Sequence, residues 1–174
     1  MKAYKQFRRD KYGNLHPLFV STTDIIPVGK WLVAKEGQRT ATGKVASKLG
    51  PLAYRPGWHL SEAPYAPHIG IKENGKVKYQ RPDTVWAECE VADEINWTPE
   101  AKANGMRGKK FDSRKACLDH IPYGGFYWFT TNPNAYGNWL IAEKIKVIKV
   151  LTDAEVEEIC WRDFGIHAQP RKVA

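Results

Sequence analysis

The segments NWLIA (residues 138–142) and IKVIKVL (residues 145–151) do most to decide the fold of this chain. Apolar and polar residues alternate along the second of them, and both are rich in the residues that strands prefer. They predict two β-strands joined near Glu143. The alternation changes phase between Val147 and Ile148, and this change predicts a β-bulge in the second strand.

A helix is predicted directly after these strands. Thr152 and Glu155 have the spacing of a capping box, in which each side chain accepts a hydrogen bond from the other residue's backbone. The apolar residues from Val156 to Phe164 recur at helical spacing on one face, and Gly165 is the expected stop. The C-terminal part of the chain therefore predicts two strands followed by one amphipathic helix.

The remaining segments predict short strands and short helices. Residues 84–91 alternate as a half-buried strand, residues 2–20 have the pattern of a hairpin, and residues 98–105 predict a short helix. Four consecutive aromatics within residues 123–131 predict a strand with rings on both faces, one against the core and the other against something else. We expect a single domain over residues 1–174, of α+β class, with a bent or split antiparallel sheet and short helices.

The chain carries an excess of positive charge. Lys and Arg number 27 against 19 Asp and Glu, which gives a formal net charge of +8 at pH 7 and a pI near 9.4. This excess favours a polyanionic partner such as nucleic acid, a nucleotide or an acidic protein surface. A flexible basic loop is predicted over residues 36–50 and a basic tail over residues 167–174. We also predict a patch for nucleic acid or a protein partner at Arg107, Lys109, Lys110, Arg114 and Lys115.

Cysteine usage and hydropathy suggest a compartment. Cys89, Cys117 and Cys160 are odd in number and share no C-x-x-C spacing, so they predict neither a disulfide framework nor a zinc site. The first residues form no apolar signal segment, and no window approaches the roughly 18 apolar residues of a membrane span. We expect a cytoplasmic protein with no membrane partner.

Chemistry-bearing residues are concentrated in AYRPGWHLSE, residues 53–62. Arg55 and His59 lie four residues apart, and the Pro56-Gly57 break between them bends the backbone. A guanidinium beside an imidazole is suited to an anionic, hydroxyl-rich ligand such as a dinucleotide or nucleic acid. The alternative is that Trp58 belongs to the core and His59 is a hydrogen-bonded structural residue.

Familiar catalytic motifs do not occur in the sequence. It contains no GxxxxGK[ST] phosphate loop, no GxGxxG, no HExxH and no GxSxG. None of the five histidines has a second histidine at helical ligand spacing, so we expect no metal site.

Three segments nevertheless form a recognisable set: WHLS (residues 58–61), GFYWFT (residues 125–130) and NWLI (residues 138–141). Together they resemble the histidine-bearing branch of the ADP-ribosyltransferase fold. The resemblance implies NAD as cofactor, an ADP-ribosyltransferase-like bent or split sheet, and transfer to a host protein or nucleic acid.

The same resemblance implies roles for individual residues. His59 would donate to the adenosine ribose hydroxyls of NAD, with Ser61 beside it. Tyr127 would stack on the nicotinamide and Thr130 would complete its strand of the cofactor site. Arg55 would pair with the pyrophosphate.

The sequence departs from that family at the catalytic carboxylate, which would stabilise an oxocarbenium-like centre. Asn138 stands at the position where the fold carries a glutamate, and an amide cannot supply charge. Glu143, in the following turn, or Glu88 and Glu90, on another strand, are the substitutes that the sequence offers.

A second resemblance is more specific and covers roughly residues 45–160. The segment LAYRPGWH (residues 52–59), with VWAE (residues 85–88) and TNPN (residues 131–134), is similar to an uncharacterised, polyvalent-protein-associated domain of phages and mobile elements. This likeness implies a phage or mobile-element setting and, with it, the host cytoplasm. It implies no particular activity.

Three functions are therefore open from sequence. The first is an NAD-dependent ADP-ribosyltransferase-like enzyme that modifies a host protein or nucleic acid. The second is a non-catalytic basic binding protein, either a phage-encoded inhibitor of a host defence factor or a nucleic-acid binder. The third is a metal-independent ribonuclease that uses His59 with His68 or His120 as acid and base, with Arg55 or a lysine on the phosphate.

Overall fold

The computed structural model describes residues 1–37, 41, 55–69, 71–73, 76–78, 83–105, 116–130 and 138–168. Its two α-helices, in that part of the chain, are α1 (Thr98–Gly105) and α2 (Asp153–Phe164), and a 3₁₀ turn spans Pro67–Ile69. The strands are β1 (Lys2–Arg9), β2 (Leu15–His16), β3 (Trp31–Val33), β4 (Trp58–Ser61), β5 (Ile71–Glu73), β6 (Lys76–Lys78), β7 (Thr84–Val91), β8 (Ile95–Asn96), β9 (Gly125–Phe129), β10 (Trp139–Ala142) and β11 (Lys144–Val150).

Nine of these strands form one open sheet in the order β3-β11-β7-β1-β4-β10-β9-β8, with β2 paired to β1. All its named strand pairs are antiparallel except β8 with β9, which is parallel, and β5 and β6 form a separate hairpin. The predicted α+β class with a mostly antiparallel sheet and short helices is confirmed. The ADP-ribosyltransferase version of that fold remains a prediction.

The two C-terminal strands occur as predicted but lie in different halves of the sheet. Strand β10 pairs with β4 and β9, whereas β11 pairs with β7 and β3. Glu143 therefore lies where the chain crosses from one half to the other rather than in a hairpin turn. The register of β11 shifts between Val147 and Lys149, which confirms the predicted bulge.

Both faces of the sheet are covered, because alternate residues of the strands enter two separate clusters. On the first face, Ala3, Phe7, Leu60 and Leu140 pack with apolar residues of β7 and β11. The second-face cluster contains Tyr4, Trp86, Tyr127, Phe129, Trp139 and Ile141, together with residues from both helices. The aromatic strand β9 accordingly meets a core on both sides, and the prediction that one side faces something else is wrong.

Helix α2 has the ends that its sequence predicts. The Thr152 hydroxyl accepts from the Glu155 backbone N–H, the Glu155 carboxylate accepts from the Thr152 backbone N–H, and Gly165 ends the helix in the left-handed region. Val156, Ile159 and Cys160 are its buried residues. These residues of α2 pack against the second face of the sheet.

The N-terminal hairpin is shorter than the sequence pattern suggests. The strand returning to β1 is only β2, paired through Arg8 with His16 and Arg9 with Leu15. Pro17 ends the ladder because it has no backbone N–H to donate. Residues 17–30 then run as an irregular segment before β3.

The sheet is weakly joined at one place, between β1 and β4. These neighbouring strands pair in register only at Tyr4 and Ser61, whereas β1 pairs with β7 along seven positions. Beyond Tyr4, the Lys5 ammonium donates to the backbone carbonyl of His59 at 2.9 Å. A side chain thus bridges two strands that the backbone ladder does not join there.

Several predicted features lie wholly or largely outside the described residues: the basic patch at 107–115, most of the loop over 36–50, and most of the tail over 167–174. Within the described ranges, neither helix has the length and apolar character that a membrane crossing requires.

Candidate functional site

A cleft of about 820 Å³ opens where β1 and β4 diverge. The lining residues that the structure describes come from β1 and β4, from the residues just before β4 and from segment 17–35. Aromatic side chains on the second face of the sheet complete the lining. Its polar lining residues include Lys5, Asp24, Lys35, Arg55 and His59, and its tryptophans are Trp31, Trp58, Trp86 and Trp139.

His59 lies inside this concavity. Its ring has solvent-accessible surface, yet protein surrounds it closely enough that desolvation, followed by the charge of Lys5, lowers its pKa to about 4. Its Nδ1 lies 3.2 Å from the Gly57 carbonyl, which can only accept a hydrogen bond. Nδ1 therefore carries the proton of a neutral ring, and Nε2 is an acceptor.

This tautomer reverses one expectation from the ADP-ribosyltransferase resemblance. That resemblance implies a histidine that donates to ribose hydroxyls through its free nitrogen. A neutral ring whose Nδ1–H is engaged by Gly57 would instead accept a hydrogen bond from a ligand hydroxyl at Nε2.

Arg55 reaches the same cleft from the other side of the Pro56-Gly57 break. Its guanidinium lies over the Phe129 ring, 4.8 Å from the centroid, and His59 meets that ring edge-on at 6.1 Å. Gly57 has φ 135°, a conformation that favours glycine, and this allows Arg55 to leave the line of β4. Arg55 and His59 are thus brought together as predicted, with Phe129 between them.

Lys5 is a cleft residue that the sequence reasoning missed. It lies on the same face of β1 as the buried Ala3 and Phe7, and its ammonium sits 5.7 Å from the Phe7 ring and 5.6 Å from the Trp58 ring. Desolvation lowers the pKa of Lys5 to about 8. The signal in the sequence was a lysine in the core-facing register of an amphipathic strand, where a charged residue is unusual.

The charges around the cleft are predominantly positive. Lys5 and Arg55 both line the cleft, and the charge of each acts to lower the pKa of His59. Among the described lining residues the carboxylate is Asp24, whose Oδ2 lies 3.2 Å from Lys35 Nζ. The interior of the cleft therefore favours an anion.

The outer wall of the cleft is held in place by a buried histidine. Segment 17–26 forms much of this wall, and His16, at its start, is 7% exposed. Nδ1 of His16 lies 2.9 Å from the Asp24 carbonyl and Nε2 lies 2.8 Å from Asp10 Oδ2. Both partners are acceptors, and together they link His16 to the Asp24 backbone and to the Asp10 side chain.

Tyr127 lies on the same face as His59 but not in the cleft. In the sheet, Ile141 pairs with His59 on one side and with Tyr127 on the other, so one strand separates the two side chains. Tyr127 is 0% exposed within the second-face cluster, and burial raises the pKa of its phenol. A ring without an exposed face has no surface for nicotinamide, which weighs against the predicted stacking role.

Ser61 and Thr130 are also placed away from an open surface. Ser61 is fully buried, and its hydroxyl lies 3.3 Å from the Ala63 backbone N–H, from which it accepts. This is a local turn contact of the kind serine makes without any ligand. Thr130 is half-buried after β9 and is not among the described lining residues.

Asn138 and Glu143 lie at opposite ends of β10. The Asn138 side chain donates to Glu62 Oε2 at 3.2 Å, and its backbone N–H donates to the same oxygen at 3.1 Å. Glu143 Oε2 accepts from the Gly124 backbone N–H at 2.6 Å, which stabilises the turn before β9. Neither is a described lining residue of the cleft, so neither stands beside His59 as a catalytic carboxylate.

The other proposed catalytic groups are likewise dispersed. Glu88 and Glu90 lie 3.5 Å from Lys2 and 3.1 Å from Lys146 in surface ion pairs. His120 stacks on Tyr123 and is not among the described lining residues of the cleft that His59 lines. Among the described residues, no group of three or more His, Cys, Asp or Glu is arranged to hold a metal ion.

Comparisons of this chain with protein-family models, with curated proteins and with solved structures found no match. The residues of the cleft itself are therefore the evidence for a function.

Proposed function

We propose that this protein binds a nucleotide, with NAD and ADP as reference ligands, in the cleft between β1 and β4. The observation that carries the proposal is the convergence of Arg55, His59 and Lys5 in one concavity with aromatic walls. A phosphate group would be attracted by the two cations, and a ribose hydroxyl would donate to His59 Nε2.

The aromatic lining supports a ligand that contains a base. Trp31, which is 46% exposed, and Trp58, which is half-buried, are both lining residues of the cleft. The Trp58 indole N–H donates to the Leu32 carbonyl at 3.1 Å, which fixes the orientation of its ring. Planar rings held in this way are typical stacking surfaces for nucleobases.

Binding is better supported than ADP-ribosyl transfer. Transfer needs a carboxylate beside the sugar, and the carboxylate in the described lining, Asp24, is paired with Lys35. The non-catalytic alternative therefore takes precedence, and its ligand is a nucleotide, either free or as part of a nucleic acid. The steep salt dependence of a nucleic-acid complex would separate these two forms of ligand.

The direct test is calorimetric titration of the protein with ADP and with NAD at moderate salt. Arg55→Gln is expected to weaken binding by on the order of tenfold or more, because a charge-assisted hydrogen bond is worth about 1.5–3 kcal/mol. Arg9→Gln makes the same change of charge at an exposed position of β1 outside the described lining, and it should leave affinity unchanged. Absence of binding by the unaltered protein, or equal losses in both variants, would refute the proposal.

A second measurement addresses catalysis. Labelled NAD is incubated with the protein and host lysate, and both nicotinamide release and transfer of label are followed. We expect neither nicotinamide release nor transfer of label. Transfer that is lost in His59→Ala, with nucleotide binding and folding retained, would replace the binding function with the ADP-ribosyltransferase one.

A further inference from the structure

We propose that Gln6 recognises the ribose of the bound nucleotide, its side-chain amide donating to one hydroxyl while the neighbouring hydroxyl donates to His59. The inference rests on the nucleotide function proposed above and names the class of ligand, a ribonucleotide whose 2′ and 3′ hydroxyls are both free. ADP and NAD meet this requirement, whereas a residue inside a nucleic-acid strand does not, because its 3′ oxygen is esterified.

Gln6 carries a buried hydrogen-bond donor that the fold does not use. The residue lies in β1 and is 6% exposed, and its Nε2 has no hydrogen-bond partner among the described residues. A buried donor left unsatisfied destabilises a protein, and native structures retain few of them. Gln6 is a lining residue of the cleft, so a ligand there can supply the missing acceptor.

The strand register places Gln6 across the cleft from His59. Tyr4 of β1 pairs with Ser61 of β4, and the two antiparallel strands separate beyond that pair. Two residues further along β1 is Gln6 and two residues back along β4 is His59, which is the next cross-strand position on the same face. The opening there is narrow enough for the side chain of Lys5 to reach the His59 carbonyl at 2.9 Å. A small group held between the strands can therefore contact both side chains.

The two side chains have complementary hydrogen-bonding capacity. Gln6 Nε2 can only donate, whereas His59 Nε2 accepts because Nδ1 of that ring faces the Gly57 carbonyl. A hydroxyl can both donate and accept, and the ribose diol presents two hydroxyls side by side. The terminal torsion of a glutamine side chain is broad, so Nε2 can turn toward the ligand oxygen when the cleft is filled.

The two faces of the sheet assign these contacts to the sugar rather than to the base. The Trp58 ring packs against the cluster on the first face. The Arg55 guanidinium lies over Phe129, which belongs to the second-face cluster. A base stacked on Trp58 and a phosphate at Arg55 are therefore on opposite sides of the opening, and the sugar that joins them lies between β1 and β4.

The test compares ADP, 2′-deoxy-ADP and 3′-deoxy-ADP by calorimetric titration. Each deoxy analogue lacks one partner of the Gln6 and His59 pair, so the unaltered protein should bind both on the order of tenfold more weakly than ADP. Gln6→Met keeps an unbranched side chain and removes the donor. In this variant ADP affinity should fall on the order of tenfold, and one of the two analogues should bind as tightly as ADP.

Two controls separate a sugar contact from a general effect. Arg55→Gln should weaken the binding of all three nucleotides by the same factor, because the phosphates are common to them. Without nucleotide, Gln6→Met should unfold at a urea concentration no lower than the unaltered protein does, because it removes an unsatisfied buried donor. A lower midpoint would show that the amide serves the fold and would count against the proposal.

Equal affinity of the unaltered protein for ADP and both deoxy analogues would overturn the ribose contact and leave nucleotide binding in place. The same preference for ADP in Gln6→Met as in the unaltered protein would remove Gln6 from the site. Failure of all three nucleotides to bind would instead refute the function proposed above.

Discussion

At the scale of single residues, the cleft depends on polar groups that the sheet forces into unusual surroundings. His59 stays neutral well below physiological pH because desolvation and the neighbouring Lys5 oppose its protonation. His16 shows the opposite arrangement, since both of its ring nitrogens face acceptors. The rings of these two histidines thus differ in the groups that lie within hydrogen-bond distance of them.

The pairing of Asp10 with His16 leads to a prediction on acid stability. The hydrogen bond from His16, aided by backbone N–H groups of Asn14 and Tyr12, lowers the pKa of Asp10 from 3.8 to about 2. Because the folded pKa lies below the unfolded one, ionised Asp10 stabilises the fold above about pH 4, and this contribution is lost as pH falls toward 2. Asp10→Asn should therefore destabilise the protein at pH 5 and 6 and progressively less below pH 4, as measured by urea unfolding.

Asp119→Asn provides the comparison, since Asp119 is an exposed aspartate outside the His16 contacts. A constant difference in unfolding free energy between the unaltered protein and Asp10→Asn from pH 6 to pH 2.5 would mean that the pair does not act as described.

Residue identity alone was enough to select some residues of the cleft but not to judge others. Arg55 and His59 could be selected because a cation and an imidazole flanking a Pro-Gly break are unusual in a strand. Tyr127 could not be judged, because a tyrosine in an aromatic strand has the same local pattern whether its ring is open or 0% exposed. Burial is set by partners from distant segments, such as α2, which sequence periodicity does not identify.

At the scale of elements, the features that depend on contacts between residues close in sequence could be predicted. The capping box of α2 uses residues three apart, and the bulge in β11 is a change of phase within five residues. Strand β7 has the bounds and the core-facing residues that its alternation predicts. Which strands pair with each other could not be predicted in this way. The separation of β10 from β11 and the weak β1–β4 junction are therefore seen only in the structure.

The break that begins β4 gives a prediction at this scale. A Cβ on Gly57 would lie 2.4 Å from Ile141 Cγ2 and 3.1 Å from the Ala142 carbonyl oxygen, on a backbone with φ 135°. Gly57→Ala must therefore push β4 away from β10 as well as strain the turn. We expect Gly57→Ala to lower the free energy of unfolding by about 2 kcal/mol more than backbone strain alone would.

Gly13→Ala is the matched control for this substitution. Gly13 also has a positive φ, 86°, but a Cβ there would meet nothing within 4 Å. Chemical denaturation of the two variants side by side separates the cost of backbone strain from the cost of the steric clash with β10. Equal losses of stability would show that the close approach of Gly57 to β10 is unimportant.

At the scale of the whole molecule, the site is assembled from segments that are far apart in sequence. Lys5 comes from the first strand, Asp24 from an irregular segment, Trp31 from the third strand, His59 from the fourth and Trp139 from the tenth. The net charge of +8 predicted an anionic partner but could not say where it would bind. The location follows from the junction at which β1 and β4 pair only through Tyr4 and Ser61.

The seven tryptophans provide a direct test of this central claim, since four line the cleft and three do not. In a titration of ¹⁵N-labelled protein with ADP, followed through the indole N–H signals and assigned with Trp→Phe variants, we predict shifts at Trp31, Trp58, Trp86 and Trp139. Trp97, Trp128 and Trp161 should keep their positions throughout. Shifts confined to Trp97 or Trp161, or seven unmoved signals at saturating ADP, would contradict a nucleotide site between β1 and β4.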